Sequence, residues 1–253
     1  MKFFPFCEFF VKNYKNQGIF KQKGYKIYSM GGRFSMNYKN LSVIYTDEIQ
    51  FLREKMQYFF DKSFRENDET LLRNLYISLR QLELCENFQC TTEEVELTSL
   101  AESLTVACDI LASASGISFI FCGDEPCYIK GNRRLISKSL LNLLSNAYLY
   151  GKETLVTVKT VNGFKSSRLE VLSGGSFENI AHNGKGLSFV RKASEKMNGK
   201  FLIEQGHSHT KAIMIFESVR KFSPITKQDI NILDLVNDRL SPACVEMFGM
   251  EYH

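Results

Sequence analysis

Asn132–Gly151, NRRLISKSLLNLLSNAYLYG, decides how the rest of the chain is read. Leu135, Ile136, Leu140, Leu143, Leu144 and Ala147 return at steps of three and four, the spacing of one apolar stripe on an α-helix. Asn142 and Asn146 stand one turn apart, on a common side of that helix beside the stripe, where an uncharged amide needs a partner. Core hydrogen bonds would satisfy such a pair, and so would a cation, because the Asn carbonyl is a hard oxygen of the kind Mg²⁺ takes. Further on, Gly184-Lys185-Gly186-Leu187 leads into a second helical stretch. Glycine there lets the backbone approach an anion, and the helix end carries partial positive charge.

The 253 residues, 44% hydrophobic and 24% charged, suit one large or two modest globular domains. Seven cysteines with no Cys-x-x-Cys pair exclude a zinc ribbon and argue against a disulfide framework, so a reducing, cytoplasmic setting is expected. The net charge of +4 is unevenly placed, since residues 1–40 hold eight Lys/Arg against the single Glu8. The same segment interleaves lysines with aromatics, as in Phe3-Phe4-Pro5-Phe6 and Phe9-Phe10. Peripheral contact with an anionic membrane is one reading of residues 1–35, and nucleic acid a less favoured one. An unstructured leader is the other reading, with Met30 and Met36 as later start candidates. No uninterrupted apolar run reaches membrane-spanning length, and Glu8 and Lys12 interrupt what would be a signal peptide.

From residue 36 to 92 two heptad seams follow one another, Tyr45/Ile49/Leu52/Met56/Phe59 and Leu72/Leu75/Leu79/Leu82, which predict a helical hairpin. One hairpin cannot bury both seams by itself, so a homodimer through a four-helix bundle is expected, with packing on the chain's own C-terminal domain as the alternative. Past Cys90, Ser99-x-x-Glu102 reads as a capping box for a helix ending at Gly116. Strands are predicted over residues 117–121, 127–129, 155–161, 168–172, 201–203 and 212–216, with helices at 132–151 and 187–197. Helices on one face of a mixed sheet make an α/β two-layer sandwich, and the chain as a whole is α+β. Residues 225–240 suggest one more helix in a tail running from 221 to 253.

Asn142-Leu-Leu-Ser-Asn146-Ala147 resembles the N-box of bacterial sensor histidine kinases, members of the GHKL ATPase superfamily. Gly184-Lys-Gly186-Leu187-Ser-Phe-Val190 resembles their second glycine box, and the likeness extends element by element over residues 93–220. The resemblance implies ATP and Mg²⁺ as ligands, with Asn146 holding the metal against the phosphates and Asn142 beside it. Tyr150 matches a frequent N-box aromatic, and Thr210 matches the Thr before the last strand. The family's first glycine box, Asp-x-Gly-x-Gly, aligns with Ser173-Gly-Gly175, so Ser173 stands where a carboxylate accepts the adenine amino group. A neutral hydroxyl is a weaker acceptor. Met36 aligns with the phosphoacceptor His, and no histidine precedes His182.

The resemblance therefore implies a two-component signalling protein with a degenerate ATP site and no phosphoacceptor. Such a protein would be a non-catalytic regulator or dimerisation partner acting with a response regulator or an intact histidine kinase. Two alternatives stay open: an active histidine kinase or ATPase with divergent motifs, and a membrane- or nucleic-acid-binding module built on the basic N-terminus.

Overall fold

The computed structural model describes residues 70, 73–77, 79–80, 91–123, 125–151, 155–174, 185–206, 208–219 and 230–248. The leader and the first heptad seam lie outside these residues, as do Gly175 and Gly184. Residues 73–77 and 79–80 are helical. After them come β1 (Glu93–Glu96), α1 (Leu97–Ala112), β2 (Ser118–Cys122), β3 (Tyr128–Gly131), α2 (Arg133–Tyr150), β4 (Leu155–Val161) and β5 (Ser166–Gly174). Then follow α3 (Lys185–Lys196), β6 (Lys200–Gln205), β7 (His209–Glu217), α4 (Ile232–Asn237) and α5 (Pro242–Phe248).

Five strands form one sheet in the order β2-β4-β5-β7-β6, parallel between β2 and β4 and antiparallel elsewhere. The strands alternate as half-buried strands should. Val156, Val158, Leu169, Val171, Phe201, Met214 and Phe216 are buried in the core beneath the helices. Helices α1, α2 and α3 pack on this side, giving the expected α+β architecture with a two-layer sandwich. On the opposite side Lys211 reaches Glu170 at 3.0 Å, bridging neighbouring strands. The residues 127–129 segment does not extend that sheet. β3 instead pairs antiparallel with β1 in a separate two-stranded sheet.

Helix α1 begins earlier than its sequence suggests, because Glu96 and not Ser99 is the cap. The Glu96 carboxylate accepts hydrogen bonds from the Thr98 and Ser99 amides at 3.0 and 2.8 Å, satisfying two of the free N–H groups of the first turn. Helix α1 is also apolar around most of its girth. The reason is that it lies between β2 and β4 on one side and α4 and α5 on the other, which leaves little of it for water.

The C-terminal tail departs further from expectation. Of the helix expected over 225–240, residues 225–229 lie outside the described residues and the described part is helical only over Ile232–Asn237, while a further short helix starts at Ser241-Pro242. The Ser241 hydroxyl accepts from the Cys244 amide at 3.1 Å, while Pro242 occupies the first helical position, where a missing N–H costs nothing. Ala243, Cys244, Val245 and Met247 are buried as α5 settles on α1 and α2. The second heptad seam needs no other copy for its described residues. Leu75, Tyr76 and Leu79 are all buried within the single chain, and the Tyr76 ring lies 5.4 Å from that of Phe248.

Candidate functional site

Helix α2 forms one wall of a cleft, the inner face of β5, β7 and β6 forms the floor, and the first turn of α3 closes a side. Asn146 and Ala147 come from α2, Ser173 from β5, Thr210 from β7, Gln205 from β6 and Leu187 from α3. Four residues singled out in the sequence, Asn146, Ser173, Leu187 and Thr210, thus converge. The strand register makes this possible: Ser173 is paired with Val156 on one side and Thr210 on the other, and Thr210 in turn with Gln205. A single row of inward-facing positions therefore carries Ser173, Thr210 and Gln205 across three strands.

Gln205 was not legible as a site residue. Its signal was present in the spacing, since Phe201, Ile203 and Gln205 are two apart and share a strand face. The cleft's volume is about 30 Å³, room for roughly two waters. Its remaining lining is apolar, from residues such as Leu143, Val171 and Ile203.

Asn142 does not line this cleft. It is fully buried under the first turn of α3, its Nδ2 donating to the Lys138 carbonyl at 2.9 Å while Oδ1 has no hydrogen-bond partner. Gly186 lies directly over it: a Cβ at 186 would stand 2.7 Å from Asn142 Oδ1 and 3.8 Å from Asn146 Nδ2. The glycine is needed here for close approach of two helices. Tyr150, the last residue of α2, is 41% exposed and is not part of the cleft lining. Gly175 and Gly184 lie outside the described residues.

Among the described residues no group of three His, Cys, Asp or Glu side chains could hold a metal ion. Oxygen for Mg²⁺ would come from the Asn146 amide, which lines the cleft, and from the ligand itself. Asn142 Oδ1, buried beneath Gly186 without a hydrogen-bond partner at a cost of roughly 1–3 kcal/mol, lies outside the cleft lining and is not placed to hold a cation there. The mostly apolar lining suits the face of a purine, with Ser173, Thr210 and Gln205 as neutral hydrogen-bonding groups, while Asn146 alone among the lining residues from α2 offers an oxygen for Mg²⁺.

No protein-family model matches the sequence, and no curated protein matches it. Solved structures do resemble the fold. Full-length ShkA in complex with AMPPNP is 16% identical with a TM-score of 0.52, covering 64% of this chain and 40% of its own. The histidine kinase AdeS of Acinetobacter baumannii is 14% identical with a TM-score of 0.49, covering 68% of this chain and 98% of its own. The histidine kinase ThkA, solved in complex with the response regulator protein TrrA, is 17% identical with a TM-score of 0.49, covering 71% of this chain and 62% of its own. Together with the five-stranded mixed sheet and its helical cover, the likeness to ShkA shows a histidine-kinase-type fold in this chain.

Proposed function

We propose that this chain is a histidine-kinase-like signalling protein of two-component type that binds magnesium–nucleotide weakly and acts as a non-catalytic regulator. The observation that carries this reading is the meeting of Asn146, Ser173, Leu187 and Thr210 in one cleft beside the start of α3. Asn146 would supply an oxygen to Mg²⁺, and the backbone N–H groups of the first turn of α3 would face the phosphates. Ser173 and Thr210 would meet the base. Without a carboxylate at Ser173 the contact to a purine amino group loses its charge assistance, which makes nucleotide affinity low.

Calorimetric titration with Mg²⁺ and ATP tests the reading. Binding in the range of tens of micromolar or weaker is expected, and Asn146→Ala should remove it. Submicromolar affinity in the parent protein, or binding indifferent to Asn146, would overturn it. The non-catalytic part is tested by incubation with radiolabelled ATP, because acid-labile, base-stable label on the chain means that it is a kinase.

The partners in this reading are a response regulator or an intact histidine kinase, together with a second copy of the chain. Leu75 and Leu79 are already covered within one chain, so self-association would have to use other positions of the hairpin. Sedimentation equilibrium at tens of micromolar distinguishes monomer from dimer.

A further inference from the structure

Helix α5 carries a buried charge that nothing in the cleft uses. Glu246, on α5, is 1% exposed. Its Oε1 accepts from Arg80 Nε at 2.8 Å, lies 2.7 Å from Arg80 Nη2, and accepts from the Ser145 hydroxyl at 2.7 Å. Arg80 Nη2 donates in turn to Ser145 Oγ at 3.2 Å. The three side chains close a triangle in which the hydroxyl accepts from the guanidinium and donates to the carboxylate. They come from three separate places in the sequence: a helical residue before β1, the middle of α2, and the tail.

We propose that α5 is an intramolecular clamp, with Glu246 as its latch, that holds the helical residues 73–77 and 79–80 against the back of α2. The wheel of α2 supports this placement. Ser145 is two residues from Leu143, about 200° around the helix, so the latch engages the side of α2 away from the cleft. Tyr76 against Phe248 adds an aromatic contact to the same junction. Helix α5 thereby contacts α1 and α2 and also Tyr76 and Arg80.

A buried ion pair is a poor source of net stability but a demanding one, since removing one partner leaves the other charged and unsolvated. Loss of Glu246 therefore acts at this junction first. Arg80, whose side chain is 16% exposed, turns toward water once its carboxylate is gone, which loosens its hold on α2 and α5. Docking of Tyr76 and Arg80 is in this way made conditional on a seated α5, which gives any ligand or partner that displaces α5 a means of freeing them.

Amide hydrogen exchange on the full-length chain, without nucleotide, tests the clamp independently of the proposed function. In Glu246→Ala the amides of residues 73–77 and 79–80 should exchange at least tenfold faster than in the parent, while those of β5 and β7 change less than twofold. Glu246→Gln keeps an oxygen for Ser145 and loses the charge, and should lie between. If the alanine variant does not fold, the same comparison is made on the glutamine variant. Unchanged exchange at 73–77 and 79–80, or acceleration there in step with β5 and β7, would overturn the proposal.

Discussion

Gly186 and Asn142 are in such close register that any side chain on the first would collide with the amide of the second, a Cβ at 186 standing 2.7 Å from Asn142 Oδ1. Asn142 is fully buried and cannot swing aside. Gly186→Ala should therefore lower stability by about 1–3 kcal/mol, the usual cost of overpacking, although alanine is the better helix former. Denaturant unfolding of Gly186→Ala, Asn142→Ala and the double variant checks this. The double variant should recover most of the loss, giving a coupling energy of roughly 1 kcal/mol or more.

Ser173 is the position at which the base contact can be rebuilt. Ser173→Asp should tighten Mg²⁺–ATP binding by roughly fivefold, the gain of about 1 kcal/mol that separates a charge-assisted hydrogen bond from a neutral one. The same change buries a carboxylate at a site that is 3% exposed, so the unfolding midpoint without nucleotide should fall. Calorimetry and thermal unfolding, with and without ATP, measure the two effects separately.

The protein should lose stability above pH 9. Burial pushes the Cys108 thiol well above its ordinary value of 9.0, and the charge of Glu246 adds to the shift. Burial raises Cys127 and Cys244 as well, against hydrogen bonds from Ser167 and Ser241 that act in the other direction. A raised thiol stays neutral in the folded chain while the unfolded chain ionises. Its contribution is therefore complete below about pH 9 and is lost as pH rises, by up to about 1.4 kcal/mol per pH unit for each thiol. Urea unfolding at pH 8 and pH 10 should show the drop, and Cys108→Ala should make it shallower.

Truncations should separate the core from the surface. Leu144 is fully buried on α2, and Leu144→Ala should cost about 2–5 kcal/mol through lost transfer energy and the cavity left behind. Leu233 on α4 is 65% exposed, and Leu233→Ala should stay within about 0.5 kcal/mol. Equilibrium unfolding of both variants is the measurement. Equal losses would mean that α4 is covered by something beyond the chain.

The apolar stripe of α2 and the alternation of β4, β5 and β7 were legible in the sequence, because a helix or strand imposes its period on neighbouring residues of the chain. In the sequence Asn146, Ser173, Leu187 and Thr210 are grouped only through the resemblance of their motifs to a known family, and it is the strand register that brings them to one cleft. What the sequence left undecided depends on contacts that carry no period. The pairing of β3 with β1, the capping of α1 by Glu96 in place of Ser99, and the burial of Asn142 beneath Gly186 instead of in the cleft each turn on how separate elements approach one another. Glu246 is the extreme case. Its partners Ser145 and Arg80 lie 101 and 166 residues earlier, and an acidic residue in a short tail becomes a latch only when folding brings an arginine and a hydroxyl to it and takes the water away.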